Sequence, residues 1–283
     1  MNRKGIILAG GSGSRLYPLT KVISKQLLPI YNKPMIYYPI SNLIMSRIKE
    51  ILIISSPHHI KLYKNLLGNG ENLGLKFSYK IQKKPNGIAE GLILAEKFLK
   101  GSNLCLILGD NIFFGKDIKK KFLNASNSES QSIFGKKVNH PNKYGVLKFK
   151  NGKVNKIIEK PKSLVSKYAV TGIYFYNNSA IEIAKKLKPS YRNELEITDL
   201  NNQILNKNEL NIHLLNNEQY WYDAGNHSDY VKTINHVYNY ENEKQLVGCL
   251  EIEAFKSSFI SKKKLLKYIN NKSPFYKKLK NIL

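Results

Sequence analysis

A run of glycines stands near the amino end of the chain, where a short apolar segment finishes. Gly10, Gly11 and Gly13 lead to Arg15 in the order Gly-Gly-Ser-Gly-Ser-Arg. Such glycines let the backbone turn several N–H groups toward one point, which makes a site for phosphate oxygens, and Arg15 adds a charged fork. A simple turn at the end of a strand is the alternative. The spacing matches neither a P-loop nor Gly-x-Gly-x-x-Gly, which disfavours both kinds of site.

A carboxylate ends a second apolar run. Residues 104–108 are apolar and are followed by Gly109 and Asp110. Ligands of open α/β sheets gather beyond the carboxyl ends of the strands, and carboxylate oxygens are ligands that Mg²⁺ prefers. Asp110 is therefore a candidate magnesium ligand, and a helix N-cap or a turn aspartate is the alternative.

Two glutamines are candidate readers of a base. Gln26 lies shortly after the glycine run, and Gln82 ends a β-rich segment. An amide side chain can both donate to and accept from a pyrimidine edge, so this pair could recognise thymine or uracil. Gly87, a few residues after Gln82, would let the base approach the backbone closely.

The elements that must position these residues follow from the apolar pattern. Short β-rich runs alternate with helical stretches through the first half, which predicts a mostly parallel sheet with helices on both faces. In this half we expect strands at residues 4–9, 50–55, 76–82, 103–109 and 131–138, and helices at residues 35–47, 57–66 and 87–100.

The second half changes character at Tyr144. Segments 146–150 and 154–159 flank Asn151-Gly152, a strong signal for a tight hairpin, so an antiparallel element is inserted here. The sequence thus predicts an α/β fold, a Rossmann-like doubly wound mixed sheet with an inserted antiparallel element and a small helical C-terminal tail. The remaining expectations are strands at 169–176 and 211–215, helices at 179–187 and 228–243, a turn at 221–223, and a lysine-rich helical region from 254 onward.

Composition argues against several functions. The formal net charge is +26, but only four of the 46 basic residues are arginine. Arginine is the residue that reads base edges and phosphates bidentately. We therefore expect the many lysines to reflect drift of the overall amino-acid composition rather than a nucleic-acid partner.

Cys105, inside an apolar run, is expected to be a buried thiol, and with Cys249 it implies no disulfide framework. Without a signal peptide or a membrane-spanning run, a cytoplasmic protein with no membrane partner is expected.

Two linked motifs then identify a family. The pattern Gly-x-Gly-x-Arg-Leu-x-Pro-x-Thr, followed by Ser-Lys-Gln-Leu-Leu-Pro at residues 24–29, resembles the signature of sugar nucleotidyltransferases. The run Lys-Pro-Met-Ile-Tyr-Tyr-Pro at residues 33–39 is similar to the thymidylyltransferase branch. The resemblance implies that Arg15 and Lys25 hold the triphosphate and that Gln26 helps to bind the base. The implied nucleotide-binding residues are Leu8, Gly10, Gly11, Gly13, Arg15, Lys25, Gln26, Gln82, Gly87 and Asp110.

The resemblance continues on the sugar side and supplies a second metal ligand. It implies that Gly145 and Glu159 contact sugar hydroxyls, that Lys160 and Arg192 hold the sugar phosphate, and that Asp223 joins Asp110 on Mg²⁺. Without it, Glu159 and Lys160 would read as a solvated acid and base at a strand end. The implied sugar-phosphate residues are Tyr144, Gly145, Glu159, Lys160, Val170 and Arg192, and the implied catalytic residues are Arg15, Lys25, Asp110 and Lys160.

The implied activity is a magnesium-dependent transfer of a nucleotidyl group from dTTP to glucose 1-phosphate by a homotetramer. The implied catalytic domain spans residues 1–240, with a nucleotide part at about 1–140, a sugar part at about 141–230, and an appendage at 241–283. Alternatives are the same reaction with UTP or another triphosphate, a non-catalytic sugar-nucleotide sensor, a nucleic-acid-binding module and a dinucleotide oxidoreductase. The sequence departs from the family pattern at Glu90, Gly91, Asn193, Ala224 and Asn226.

Overall fold

The strands lie close to where the apolar runs predict them. The computed structural model describes residues 3–270 and 274–277. The five strands expected in the first half are all present, with ends within one residue of the prediction. The strands are β1 (Arg3–Leu8), β2 (Pro29–Ile30), β3 (Lys33–Pro34), β4 (Glu50–Ser55), β5 (Lys76–Ile81), β6 (Asn103–Leu108), β7 (Asn111–Gly115), β8 (Gln131–Lys137), β9 (Gly145–Lys150), β10 (Lys153–Glu159), β11 (Tyr168–Tyr176), β12 (Leu210–Leu215) and β13 (Gln219–Asp223).

The helices cover both faces of the sheet, as expected. The structure adds two helices in the catalytic region that the sequence pattern did not predict, at 118–127 and 197–206. The helices are α1 (Tyr37–Met45), α2 (Ile60–Leu67), α3 (Glu90–Leu99), α4 (Ile118–Asn127), α5 (Ser179–Lys186), α6 (Ile197–Asn206), α7 (His227–Glu243), α8 (Leu250–Lys256), α9 (Lys262–Ile269) and α10 (Pro274–Lys277).

Within the described residues, nine strands form one mixed sheet. Strands β6, β1, β4 and β5 are parallel and adjacent in that order, so their carboxyl ends meet at one edge. Strand β11 then pairs antiparallel with β6 and carries the inserted strands β9 and β10 on one side and β8 and β12 on the other. The doubly wound mixed sheet is confirmed.

Alternating side chains of β1 show how the layers pack. Ile7 is buried against the face that carries α1, α2 and α4, whereas Ile6 is buried against the face that carries α3, α5 and α6. Successive side chains of a strand point to opposite faces, so a fully apolar strand must be covered on both. The central sheet is thus buried between two helical layers.

The predicted hairpin is also confirmed. Strands β9 and β10 pair antiparallel, and the turn residues Asn151 and Gly152 have φ angles of 50° and 74°. Two successive positive φ angles define the type I′ turn, whose twist matches that of the flanking strands. This hairpin brings its last residue, Glu159, opposite its first, Gly145.

The expected turn at 221–223 is wrong, because these residues belong to strand β13. That strand pairs antiparallel with β7, which sequence analysis also missed. Strand β7 begins at Asn111, only two residues after the apolar run that ends at Leu108, so the pattern alone gave no reason to start a new strand there. Pairing between segments more than 100 residues apart has no local sequence signal.

The C-terminal region packs on the rest of the chain. Helix α8 begins at Leu250, four residues before the predicted helical start, and lies against α1. The helical prediction for residues 271–273 and 278–283 lies outside the described residues. Cys105 and Cys249 are both buried free thiols, as the apolar context of Cys105 predicted. Among the described residues, no helix is long and apolar enough to cross a membrane.

A buried ion pair joins the β2–β3 hairpin to α7. The Nζ of Lys33 lies 2.6 Å from Oε1 of Glu241, and the two side chains are only 1% and 2% exposed. The same oxygen accepts the backbone N–H of Val247 at 3.1 Å, just before α8. The charges are therefore tied to three segments of the chain at once.

We expect Glu241→Leu to lower the free energy of unfolding by about 3–5 kcal/mol, because it leaves the Lys33 ammonium buried without its partner. The double variant Lys33→Met/Glu241→Leu should recover most of that loss, since no buried charge remains. Urea denaturation followed by far-ultraviolet circular dichroism measures both. Equal losses in the single and double variants would show that the charges do not depend on each other.

Candidate active site

Two adjoining clefts open at the carboxyl edge of the parallel strands. Their volumes are about 320 and 490 Å³, and five residues line both of them: Arg15, Ile88, Leu108, Asp110 and Glu194. We call them the nucleotide cleft and the sugar cleft after the roles predicted for their residues. A ligand that occupies one cleft therefore contacts residues that also border the other.

The nucleotide cleft gathers nearly all the residues predicted for it. Gly13 is the exception among them: its carbonyl accepts the Thr20 hydroxyl at 2.9 Å, and its φ of 63° needs a glycine-like conformation. Gly13 therefore shapes the loop rather than lining the cleft. The predicted residues that do line it are Leu8, Gly10, Gly11, Arg15, Lys25, Gln26, Gln82, Gly87 and Asp110. Their roles in binding stay predictions.

Arg15 stands on a short 3₁₀ turn, Ser14–Leu16, anchored by the fully buried side chain of Leu16. Its guanidinium lies beside Gly225, where an added Cβ would come within 2.8 Å of Nη2. Within the described part of the chain, Arg15 makes no ion pair, so its charge is available to a ligand. Gly225 provides the space that the guanidinium occupies.

Asp110 is held by Lys25 and Asn111. The Lys25 ammonium donates to one carboxylate oxygen, and Nδ2 of Asn111 donates to the other at 3.1 Å. Burial by itself would raise the pKa of Asp110, but the Lys25 charge and these hydrogen bonds outweigh it and hold that pKa below its ordinary value. Asp110 is therefore a fixed, ionised carboxylate.

Asp223 reaches the same place through the β7–β13 pair. It lies opposite Asn111 in the strand register, and the N–H of Ala224 donates to the Asp110 carbonyl at 3.2 Å. Burial and the nearby charge of Asp110 raise the pKa of Asp223 to about 7, although Lys25 and Arg15 partly offset this. The buried Asp110 and the partly buried Asp223 thus repel each other in the sugar cleft, which both of them line.

This pair fits a magnesium ion chemically. A divalent cation between two repelling carboxylates relieves their repulsion, and Mg²⁺ in triphosphate sites typically takes one or two protein carboxylates plus phosphate oxygens and water. Within residues 3–270 and 274–277, no cluster of three or more acidic, histidine or cysteine side chains is available for a metal. Asp110 and Asp223 would therefore supply the protein's share of the ligands.

Asn111 lines the sugar cleft, and sequence analysis gave it no role. Its Oδ1 accepts the indole N–H of Trp221 at 2.6 Å and the backbone N–H of Gly172 at 3.0 Å, while its Nδ2 donates to Asp110. An added Cβ at Gly172 would lie 2.4 Å from that oxygen, so only glycine fits there. Asn111 therefore links β6, β11 and β13 at the site. Its position directly after Asp110 was the only signal available.

The sugar cleft contains every residue predicted for it. Glu159 accepts the Thr198 hydroxyl at 2.6 Å, and an added Cβ at Gly145 would lie 2.9 Å from that hydroxyl and 3.3 Å from the carboxylate. Gly145 thus leaves the polar floor uncovered. Sequence analysis gave Thr198 no role. The predicted residues that line the cleft are Tyr144, Gly145, Glu159, Lys160, Val170 and Arg192, together with Asp110 and Asp223.

Arg192 is more constrained than its predicted role suggests. It donates to Glu196 at 2.7 Å, and it lies 3.1 Å from Glu194 and 3.4 Å from Glu159. Hydrogen bonding to Glu196, partly opposed by burial, raises the pKa of Arg192. Three carboxylates already compensate its charge, whereas among the described residues Lys160 has a single ion pair, with its Nζ 3.9 Å from Oε1 of Glu159. Lys160 is therefore the less committed cation of the sugar cleft.

The two clefts are tied together by backbone contacts. Leu195 N–H donates to the Asn86 carbonyl at 2.7 Å, and Ala89 N–H donates to the Leu195 carbonyl at 3.2 Å. Between them, Gly87 has a φ of 102°, and an added Cβ would lie 2.4 Å from the Leu195 carbonyl oxygen. Gly87 is thus required by the packing of these two loops, in addition to lining the nucleotide cleft.

Two departures from the family pattern have local explanations. Asn193 has a φ of 58°, a conformation that asparagine tolerates better than most residues where a glycine is common. Asn226 accepts the backbone N–H of Asp229 at 3.1 Å and so caps α7, a role that a threonine can also fill. Neither change removes a charged group from the clefts.

Comparison with known proteins places this geometry in context. The family model described as nucleotidyl transferase matches residues 4–239. A glucose-1-phosphate thymidylyltransferase of Neisseria meningitidis serogroup A is 43% identical, with 93% of this chain and 92% of that protein covered. The one from Xanthomonas campestris pv. campestris is 45% identical, with 93% and 90% covered.

Solved structures agree with these relatives. A Bacillus anthracis structure described as a glucose-1-phosphate thymidylyltransferase in complex with sucrose has a TM-score of 0.77 and 41% identity, covering 83% of this chain and 94% of that one. A UDP-glucose pyrophosphorylase complexed with UDP-glucose has a TM-score of 0.74 at 24% identity, covering 84% and 99%, which shows a shared fold.

If Asp110 and Asp223 hold Mg²⁺, the metal should stabilise the protein even without substrates. At pH 8, above the raised pKa of Asp223, we expect 10 mM MgCl₂ to increase the free energy of unfolding by about 1 kcal/mol. Asp223→Asn should be more stable than the unmodified protein without metal, because the repulsion is gone, and should not respond to Mg²⁺. Urea denaturation with and without MgCl₂ measures both effects.

Asp117→Asn is the matched control, because Asp117 is exposed and its φ of 59° suits asparagine. It should respond to Mg²⁺ as the unmodified protein does. An equal response in Asp223→Asn would place the metal elsewhere.

Proposed function

Since this chain belongs to the nucleotidyl transferase family, we propose that it is a magnesium-dependent glucose-1-phosphate thymidylyltransferase. It joins dTTP and α-D-glucose 1-phosphate to give dTDP-glucose and pyrophosphate. The observation that carries the proposal is the meeting of Asp110, Asp223, Lys25 and Arg15 where the two clefts adjoin. A reaction between two polyanions needs cationic groups and a metal site at the point where the reactants meet.

The reaction requires no nucleophile from the protein. An oxygen of the sugar phosphate, already an anion at neutral pH, attacks the α-phosphorus of dTTP. The new P–O bond forms as the bond between the α-phosphorus and the bridging oxygen breaks, and pyrophosphate leaves with the electron pair. Catalysis is then a matter of positioning and charge stabilisation, as in phosphoryl transfer generally.

The chain's own residues divide this work. The glycine loop offers backbone N–H groups to the triphosphate, and Arg15 and Lys25 balance its negative charge. Lys25 now pairs with Asp110, so binding of the triphosphate exchanges one anionic partner for another. Mg²⁺, when bound by Asp110 and Asp223, supplies positive charge against phosphate oxygens.

The sugar phosphate is oriented from the other cleft. Glu159, held by Thr198, is directed past Gly145 and can accept hydrogen bonds from sugar hydroxyls. Lys160, whose ion pair with Glu159 is long, is suited to bind the sugar phosphate. Arg192 is held in place by Glu196 and adds further N–H donors in a fixed orientation. A cleft lined by the carboxylate of Glu159 and by the cations Lys160 and Arg192 suits a ligand that is neutral at one end and anionic at the other.

Base recognition is supported by the orientation of Gln26. Its Oε1 accepts the Ser24 hydroxyl at 2.8 Å, while the Tyr63 hydroxyl bonds to Ser24 at 2.7 Å. The oxygen of the amide is thus occupied, and its Nε2 is left to donate into the cleft that Gln26 lines. A donor at this point suits a carbonyl oxygen of thymine or uracil.

A wider setting follows from the family resemblance. We include in the proposal a cytoplasmic homotetramer that supplies dTDP-glucose for the synthesis of deoxysugars of surface polysaccharide, with no nucleic-acid or membrane partner. The sensor alternative is opposed by the presence of Asp110, Asp223 and Lys25 together in one site. The UTP alternative is not opposed by the glutamines, since they do not contact a 5-methyl group by hydrogen bonding.

The test is pyrophosphate release from the purified protein with Mg²⁺, glucose 1-phosphate and each of dTTP, UTP, CTP, ATP and GTP. We expect dTTP to give the highest kcat/KM. Asp110→Asn should lower kcat by about 100-fold or more, since it removes a fixed charge at the reacting phosphate. Asp117→Asn, the same change at an exposed carboxylate, should have no effect.

Turnover with only another triphosphate would discard the thymidylyl assignment and keep the reaction class. The absence of pyrophosphate release with every triphosphate, tested across several sugar phosphates, would contradict the proposed function as a whole.

A further inference from the structure

We propose that Glu90 locks the amide of Gln82 in one orientation and thereby makes this chain select a base whose ring nitrogen donates a hydrogen bond. The inference rests on the proposed function, because it concerns how the nucleotide cleft chooses its base. Glu90 stands where the family commonly has glutamine, and a carboxylate can only accept, whereas an amide can present either end. Glu90 therefore fixes the Gln82 amide without help from a third residue.

Glu90 accepts three hydrogen bonds from the loop that borders the nucleotide cleft. Its Oε2 accepts Nε2 of Gln82 at 2.5 Å and the backbone N–H of Asn86 at 3.3 Å, and its Oε1 accepts Nδ2 of Asn86 at 2.8 Å. Gln82 is buried, whereas Asn86 is exposed. The carboxylate therefore holds one amide inside the cleft and a second one at its outer rim.

The direction of the Gln82 amide follows from chemistry. An ionised carboxylate can only accept, so the side chain that contacts it must present its NH₂ group. The Oε1 of Gln82 is then forced to the other side, where an added Cβ at Gly10 would lie 3.0 Å from it. Gly10 lines the nucleotide cleft, and Gln82 accepts no hydrogen bond through this oxygen from any described residue. The cleft thus receives a free acceptor.

Together the two glutamines offer one acceptor, from Gln82, and one donor, from Gln26. Thymine and uracil present a donating N3–H next to carbonyl oxygens, so they match both groups. Cytosine presents an accepting N3, and adenine an accepting N1, so each would set an acceptor against Gln82. Guanine has a donating N1–H beside O6 and must be excluded by its size.

If Glu90 did not hold the Gln82 amide, the nucleotide cleft would no longer select between these bases. If it turned over, Gln82 and Gln26 would both donate, and the adjacent O2 and N3 acceptors of cytosine would fit them. Discrimination between dTTP and CTP therefore depends on which end of one amide faces the base. Glu90 also lies in the first turn of α3, where an acidic residue favours the helix by itself, and this purely structural role is the competing explanation.

The test is the ratio of kcat/KM for dTTP to that for CTP in Glu90→Met, which keeps the side-chain length and removes both acceptors. We expect the ratio to fall about tenfold or more, the scale of one hydrogen bond to a charged group. The fall should come from KM, because the base is remote from the reacting phosphorus.

Glu90→Gln should largely restore the ratio. Its one acceptor can still hold Gln82, while the exposed Asn86 turns its own amide toward the new NH₂ group. Asn86→Ala is the matched control, because it removes a hydrogen bond to the same carboxylate on the solvent side. Its ratio should stay within about twofold of the unmodified protein.

The outcomes separate this inference from the proposed function. If dTTP is turned over but Glu90→Met lowers kcat/KM for dTTP and CTP equally, Glu90 is only structural and the inference fails. If the unmodified protein turns over no triphosphate, the proposed function fails instead. If it prefers UTP, the same ratio measured for UTP against CTP tests the inference unchanged.

Discussion

The buried carboxylate of Asp110 and the partly buried carboxylate of Asp223 repel each other, and the rest of the site is arranged around that repulsion. Asp110 keeps its charge because Lys25 and Asn111 bind it. Burial, together with that charge, raises the pKa of Asp223 to about 7. Lys25 and Arg15 offset this repulsion only in part, so the pair costs stability until a further cation binds. The fold maintains it through Asn111, which Trp221 and Gly172 fix from two other strands. A site with two repelling carboxylates beside cationic side chains is suited to bind a divalent metal together with a polyanion.

The two adjoining clefts of the proposed reaction are built on two kinds of sheet. The nucleotide cleft lies at the carboxyl ends of parallel strands, where backbone N–H groups and glycines face a ligand. The sugar cleft is built on the antiparallel insertion, where a hairpin sets Glu159 beside Gly145. Strand β11 belongs to both regions, and the loop pairing of Leu195 with Asn86 and Ala89 closes the gap between them. In the proposed reaction, the two phosphates meet where the clefts adjoin, and backbone contacts hold the two regions together there.

The structural features that the sequence could predict are those with local sequence signals. Apolar runs located the parallel strands, and Asn151-Gly152 located the hairpin, because burial and turn conformation depend on neighbouring residues. The β7–β13 pair that carries Asp223 to Asp110 could not be found in this way, since it joins segments far apart in the chain. The motif resemblance identified Asp223 as a candidate ligand, but it did not indicate how the fold places Asp223 beside Asp110.

Charge compensation was equally hidden from the sequence. Arg192 was expected to hold the sugar phosphate, yet three glutamates already contact it, and this arrangement depends on the fold around Glu159 and Glu196. Glu90 was noted only as a departure from a pattern until its contact with Gln82 gave it a physical role. In both cases the residue types were visible, but the hydrogen bonds between them were not.

The central claim is that charge and position, without a nucleophile from the protein, carry out the transfer. The stereochemical course at the α-phosphorus tests it most directly. The α-thio analogue of dTTP, in a single configuration at phosphorus, is converted with glucose 1-phosphate and the product is compared by ³¹P NMR with standards of known configuration. A single in-line displacement predicts inversion. Retention would mean two successive displacements through a covalent nucleotidyl-enzyme, and it would contradict the account.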